Sequence, residues 1–148
     1  MNSRTIGWWL RAAARTALGV ALTFAGWSHL TSARAEFQAQ VPPWVPLEAD
    51  FVVLASGVVE IALGLSLIVL VRLQKWVGLA TALFFIAIFP GNISQYVNGI
   101  DAFGLDTDQA RFTRLFFQPV LVLWALWSTS AWRLWRRRAQ NSSNETTG

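Results

Sequence analysis

The chain contains no cysteine. That excludes disulfides, a thiolate nucleophile and cysteine-ligated metals or clusters. It has one histidine, so the donor sets that build transition-metal sites are missing too, and no metal is expected. Charge is scarce: 14% of the residues are charged, where a soluble domain carries about 25%. Proline is confined to five positions, three of them in one loop and one each at Pro90 and Pro119. What remains is apolar, with 54% hydrophobic residues and nine tryptophans in 148 residues. A water-soluble core of this length does not need that much apolar surface. The composition is that of one membrane domain, 1–138, followed by a polar tail, 139–148, expected to be disordered and cytoplasmic.

Four apolar stretches read as membrane spans: 12–31, 51–71, 76–97 and 112–132. About 20 apolar residues cross a bilayer core, and in lipid such segments must be helical because every backbone group needs an internal partner. The expected fold is all-α, a four-helix transmembrane bundle. The inner loop between the second and third spans is only Arg72 to Lys75, which forces an antiparallel hairpin. Val41-Pro42-Pro43-Trp44-Val45-Pro46 cannot be a helix interior and makes a stiff outer loop. Eleven of the twelve basic residues are arginine. Arg4, Arg11, Arg15, Arg72, Lys75, Arg133, Arg136, Arg137 and Arg138 fall on one side, and Arg34, Arg111 and Arg114 on the other. This split places both termini inside, in a multi-pass protein of the bacterial cytoplasmic membrane. Because the basic residues cluster at span ends, membrane orientation explains the positive charge and a nucleic-acid partner is not expected. Ala33-Arg34-Ala35 resembles a signal-peptide cleavage site, but the preceding apolar region is longer than such peptides carry, so a retained first helix is expected.

Glu60 sits in the middle of the second span, about 14 Å from its start at 1.5 Å rise per residue. An ionisable group at that depth faces a bundle interior or a wet cavity and commonly marks function. A protonated glutamic acid bridging two helices is the structural alternative. The other polar groups that could carry chemistry fall in the outer half: His29 at the end of the first helix, Asn92 and Gln95 in the third, Arg114 and Gln118 in the first turns of the fourth. Together they describe a polar funnel open to the outer face, with Glu60 at its base as proton relay and His29, Asn92, Arg114 and Gln118 as ligand-binding residues. Glu60 is expected to hydrogen-bond Gln118, with Arg114 one turn above. His29 and Arg114 also suit headgroup anchors, and Asn92 and Gln118 also suit interhelical hydrogen bonds. Gly57, Glu60 and Gly64 share a helix face, and Gly19, Gly26 and His29 share another, so close helix approach is expected there.

Five segments, in this order, resemble the DoxX-like family of small bacterial membrane proteins: Phe24-Ala25-Gly26-Trp27-Ser28-His29, the proline loop from Val41 to Pro46, Ser56-Gly57-Val58-Val59-Glu60-Ile61 with Gly64, Phe89-Pro90-Gly91-Asn92-Ile93, and Arg114-Leu115-Phe116-Phe117-Gln118. The resemblance spans about Phe24 to Trp132. It implies a four-helix membrane bundle, and a family that includes subunits tied to quinone-linked sulfur oxidation and oxidative-stress complexes. The family's polar motif positions fall on His29, Glu60, Asn92, Arg114 and Gln118. Leu30 and Gly91 depart from the residues common at those positions, and the acidic loop from Asn98 to Arg111 is atypical, so outer-face partners do not transfer.

Three functions fit. The first is a redox-associated subunit whose pocket binds a quinone or similar lipophile, with electrons from a redox protein partner. The second is a non-catalytic assembly or scaffold subunit. The third is a carrier for a small solute or a proton, which four helices would serve best as a homo-oligomer. Whether the chain itself catalyses a reaction stays open. The topology is directly testable, because the absence of native cysteine allows single cysteines to report position. Cysteines at Ser3, Gln74 and Ser142 should be shielded from an impermeant thiol reagent in intact cells, and those at Gln38 and Thr107 labelled. Labelling at 74 with protection at 38 would sink the topology.

Overall fold

A computed structural model describes residues 3–135. Arg136, Arg137, Arg138 and the tail 139–148, for which disorder was the expectation, lie outside them. The described chain is all-α: α1 (Ser3–Leu30), α2 (Arg34–Gln38), α3 (Ala49–Val69), α4 (Gln74–Val97) and α5 (Asp108–Ser128). No strand occurs among the described residues. Four long helices match the four expected stretches. The short α2, in the connection from α1 to α3 ahead of the proline loop, was not anticipated; the end of the bundle that carries it is termed the outer end, after the expected topology.

Local chemistry sets the ends. A single 3-10 turn, Val71–Leu73, separates α3 from α4, so the two form the expected hairpin. Helix α5 starts at Asp108 rather than at 112, because Thr107 caps it by accepting the Ala110 N–H at 3.2 Å and Asp108 places negative charge in the first turn. It stops at Ser128, and two residues later Ser130 takes a left-handed φ of 57°. Arg114 therefore lies in the second turn of α5 and not the first.

Among the described residues, two helices are long and apolar enough by composition to cross a membrane, Ala49–Val69 and Val71–Val97. Helices α1 and α5 are as long, but they are diluted by groups such as Arg15 and His29, or Arg111, Arg114 and Gln118.

The bundle consists of two tight antiparallel pairs, α1 with α3 and α4 with α5, which touch each other less extensively. Leu18, Leu22, Leu67, Ala82, Phe85 and Ala125 form the apolar core where the pairs meet. The α1–α3 pair is a glycine seam. A Cβ on Gly19 would lie 2.7 Å from the Gly64 carbonyl oxygen, and one on Gly64 would lie 2.6 Å from that of Gly19. One turn-pair further out, a Cβ on Gly26 would lie 2.5 Å from the Gly57 carbonyl oxygen, and one on Gly57 would lie 2.8 Å from His29 Cβ. Any side chain at these four positions must part the helices. Gly57→Leu or Gly64→Leu should therefore lower thermal stability in detergent more than Ser66→Ala, by about 1–3 kcal/mol for an overpacked site. Equal stability of the three variants would remove the seam from the account.

Candidate functional site

The seam carries the first polar cluster. With no side chain at Gly57, His29 at the outer end of α1 drops against α3. Its Nδ1 stands 3.2 Å from Ser56 Oγ and 3.3 Å from Glu60 Oε2. Ser56 and Glu60 are four residues apart and share a helix face. The Ser56 hydroxyl donates to the Val53 carbonyl at 2.9 Å. With its one proton spent there, the consistent tautomer has His29 protonated on Nδ1 and donating to Ser56 Oγ. Glu60 is only 5% exposed, yet its Oε2 has no hydrogen-bond partner among the described residues. The 3.3 Å approach of His29 is close enough for electrostatic contact but not aligned as a hydrogen bond.

The second cluster belongs to the α4–α5 pair. The Gln118 amide donates to the Phe85 carbonyl at 2.6 Å and accepts from the Asn92 side chain at 2.9 Å. The expected Glu60–Gln118 hydrogen bond is therefore not made: Gln118 is held by its own hairpin, and Glu60 faces α1. Arg114, one turn above Gln118, does not reach down to Glu60 either. Its guanidinium lies against the side-chain amides of Gln40 and Gln95. The Gln40 oxygen is 2.6 Å from Nη1 when that amide is turned to accept, against a 3.4 Å contact to Nη2 in the other orientation. Gln95 Oε1 is 3.4 Å from Nη1. On α4, Tyr96 turns outward onto Phe112 at 5.7 Å, and Gln95 is the buried neighbour.

A cap covers the outer end. Arg34 makes a two-pronged ion pair with Asp50, and Gln38 donates to the same carboxylate at 2.6 Å, which pins α2 to the first turn of α3. Arg111, counted from the sequence only among the basic residues of this side, is buried and clamped between Asp101 and Asp108. The Phe103 N–H donates to Glu36 Oε2 at 2.7 Å, holding that residue in the left-handed region at φ 57°. Ring contacts then run inward from the cap: Phe103 to Phe37 at 4.5 Å, and Phe37 to His29 at 3.5 Å. The Arg114 guanidinium sits 5.1 Å over Phe103.

Between the two helix pairs lies a cavity of about 450 Å3. His29, Glu60, Asn92, Arg114 and Gln118 all line it, so the five residues singled out from the sequence come together on one wall system. Ser56 and Gln40 add two more polar side chains, and most of the remaining lining is apolar, from Leu18, Leu22, Val53, Phe85, Leu121 and others. The size and this mixture suit a drug-sized apolar ligand with a few polar attachment points. Sequence reasoning missed Ser56, Phe37 and Gln40. Ser56 had a signal, one turn before Glu60; the other two sit in irregular or short-helix chain where no periodicity points inward. Among the described residues no group of three or more potential metal ligands occurs.

No curated protein and no solved structure matches this chain. Residues 18–129 match a domain of unknown function, DUF8561, and this stretch contains α3, α4, α5 and the cavity-lining part of α1; the chain belongs to that family.

Proposed function

We propose that this protein is a multi-pass membrane protein, with all four long helices crossing the bilayer and both ends inside, and that its outer-half cavity binds a quinone or a similar lipophile as part of a redox system. The exterior supports the membrane reading for α1 and α5 as well as for the two more apolar helices. Phe24 is 72% exposed, Leu123 66%, Val97 71% and Val69 69%. Inside, among the described residues, twelve polar or charged side chains are buried against nine hydrophobic ones. Apolar groups outside and polar groups inside is the arrangement lipid favours. The motif resemblance to DoxX-like proteins belongs to the same proposal.

The observation that carries the ligand reading is Glu60 Oε2, buried in the cavity wall with no hydrogen bond. Leaving such an atom unsatisfied costs about 1–3 kcal/mol, and a ligand hydroxyl donating to it, or a ligand carbonyl accepting from the protonated carboxyl, would relieve it. A bound quinone would supply two-electron, two-proton chemistry. The chain's residues would hold and orient the ring through the Asn92 and Gln118 amides. Glu60 and His29 lie in contact, so they can hold a proton beside the ring and exchange it. A redox protein partner would provide the electrons. The scaffold reading rests on a different feature: His29, Ser56 and Glu60 also bridge α1 to α3, and a bridge alone needs no ligand.

Native mass spectrometry of the gently extracted protein separates the two. The wild type should retain a lipophile that exchanges with an added short-tailed quinone. Glu60→Leu and Asn92→Leu, still folded by circular dichroism, should retain less. A protein that carries no lipophile and takes up no quinone would leave only the scaffold reading.

A further inference from the structure

Three arginines serve the outer half of the molecule, and two are neutralised in place. Arg34 pairs with Asp50, and Arg111 pairs with Asp101 and Asp108. Arg114 has no carboxylate within ion-pair distance among the described residues. What it has are two side-chain amides and the face of Phe103. Amide oxygens accept hydrogen bonds but do not cancel charge. A guanidinium has five N–H donors, and the two amides engage only part of that fork. Unlike the other two, Arg114 also lines the cavity. Among the described residues the wall near it carries no compensating anion: Glu60, the one carboxylate among those lining the cavity, lies beside His29 and forms no ion pair with Arg114. A half-buried cation facing an apolar cavity without a counter-charge is costly, and the cost is relieved by an anionic group that enters with the ligand. The planar fork matches a carboxylate or a phosphate in two parallel hydrogen bonds.

From this we infer that the cavity takes an amphiphile with an anionic oxygen head, a carboxylate or a phosphate monoester on an apolar tail, with the head at Arg114 and the tail along Leu22, Phe85 and Leu121. The inference rests on the reading of the cavity as a lipophile pocket and gives that lipophile an anionic head, which a quinone lacks. Gln40 and Gln95 act as positioning residues: they hold the guanidinium over the Phe103 ring, on the lining of the cavity. The two alternatives for the head share one chemistry, and both separate from a neutral lipophile by charge alone.

The test compares ligands that differ only in head charge. In detergent micelles the protein is titrated with the fluorescent fatty acid parinaric acid and with its methyl ester. Wild type should bind the acid at least about tenfold more tightly, the scale of one charge-assisted pair over a neutral one. A long-chain alkyl phosphate should displace the acid, and inorganic phosphate at the same concentration should not, which assigns the site to an amphiphile rather than to a free anion. Arg114→Gln should erase the preference for acid over ester. Arg114→Lys, which keeps the charge, should retain most of it. Arg34→Gln, outside the cavity, should leave it unchanged. If acid and ester bind equally and a short-tailed quinone displaces both, the pocket stands and the anionic head is overturned. If acid, ester and quinone all fail to bind the folded protein, the pocket reading falls and takes this inference with it. Displacement by inorganic phosphate alone would overturn the amphiphile.

Discussion

The approach of α1 to α3 is the constraint on which the rest depends. Four glycines, Gly19 and Gly26 on one helix and Gly57 and Gly64 on the other, interlock so that each backbone occupies the space a neighbour's Cβ would fill. Small residues are how helices gain contact when the surroundings are as apolar as their own side chains, because burial from water contributes nothing there. The seam has a second consequence at its outer end. Gly57 lies directly under His29, and any larger residue would lift the imidazole away from Ser56 and Glu60. Packing and chemistry share the same glycine. The α4–α5 pair is held differently, by polar side chains near its outer end, with Gln118 bonded to Asn92 and to the Phe85 carbonyl. Each pair is complete in itself, and the cavity is the space left where the two meet.

Much of this was legible in the sequence, and the reasons are specific. Long apolar runs fixed the helices. The depth of Glu60 and the i, i+3, i+7 spacing of Gly57, Glu60 and Gly64 marked one face of α3, and that face is the buried one. Of the six polar residues chosen for their depth, five line the cavity, and Gln95 instead lies against Gln40 and Arg114. The pairing among them was not legible. Depth along a helix says at what level a side chain sits but not which neighbour it faces, so Glu60 was matched with Gln118 at a similar level rather than with His29 across the seam. The loops were legible only as loops. Nothing periodic marks Phe37, Gln40 or Phe103, and their positions follow from ion pairs that pin α2 and the segment after α4: Arg34 with Asp50, Arg111 with its two aspartates, Glu36 with the Phe103 N–H. Arg111 was legible only as a charge at the start of the fourth span, because a sequence shows the charge and not the clamp around it.

Buried polar atoms without partners separate the site from ordinary structure. Among the described residues three side-chain atoms are buried and unbonded: Arg15 Nε, Glu60 Oε2 and Ser128 Oγ. Arg15 and Ser128 lie toward the other end of the bundle. Arg15 still donates from Nη1 to Gln74 at 2.7 Å, and neither residue lines the cavity. Their unmet capacity is the ordinary imperfection of a packed interior, in which a guanidinium rarely fills all five donors. Glu60 differs because its open oxygen borders empty volume large enough for a ligand. Burial without a partner is equivocal by itself; burial without a partner beside a cavity is what points outward to another molecule.

The cap and the deep cluster form one continuous set of contacts. Phe37 touches His29 on its inner side and Phe103 on its outer side, and Arg114 lies over Phe103. The base of the cavity and its mouth are thus joined through two aromatic rings. The cap is tied by ion pairs such as Arg34–Asp50, whose side chains are about two-fifths exposed, 41% and 39%. Exposed pairs are weak and screened by salt, with a median worth of about 0–1 kcal/mol. The seam beneath, by contrast, is backbone packed on backbone and does not respond to ions. The molecule therefore has a rigid base and a cap held by modest forces, and the rings of Phe37 and Phe103 lie where the two meet. A ligand that displaced either ring would disturb His29 and Arg114 together, so the groups at the two ends of the cavity are positioned by a shared contact and not independently.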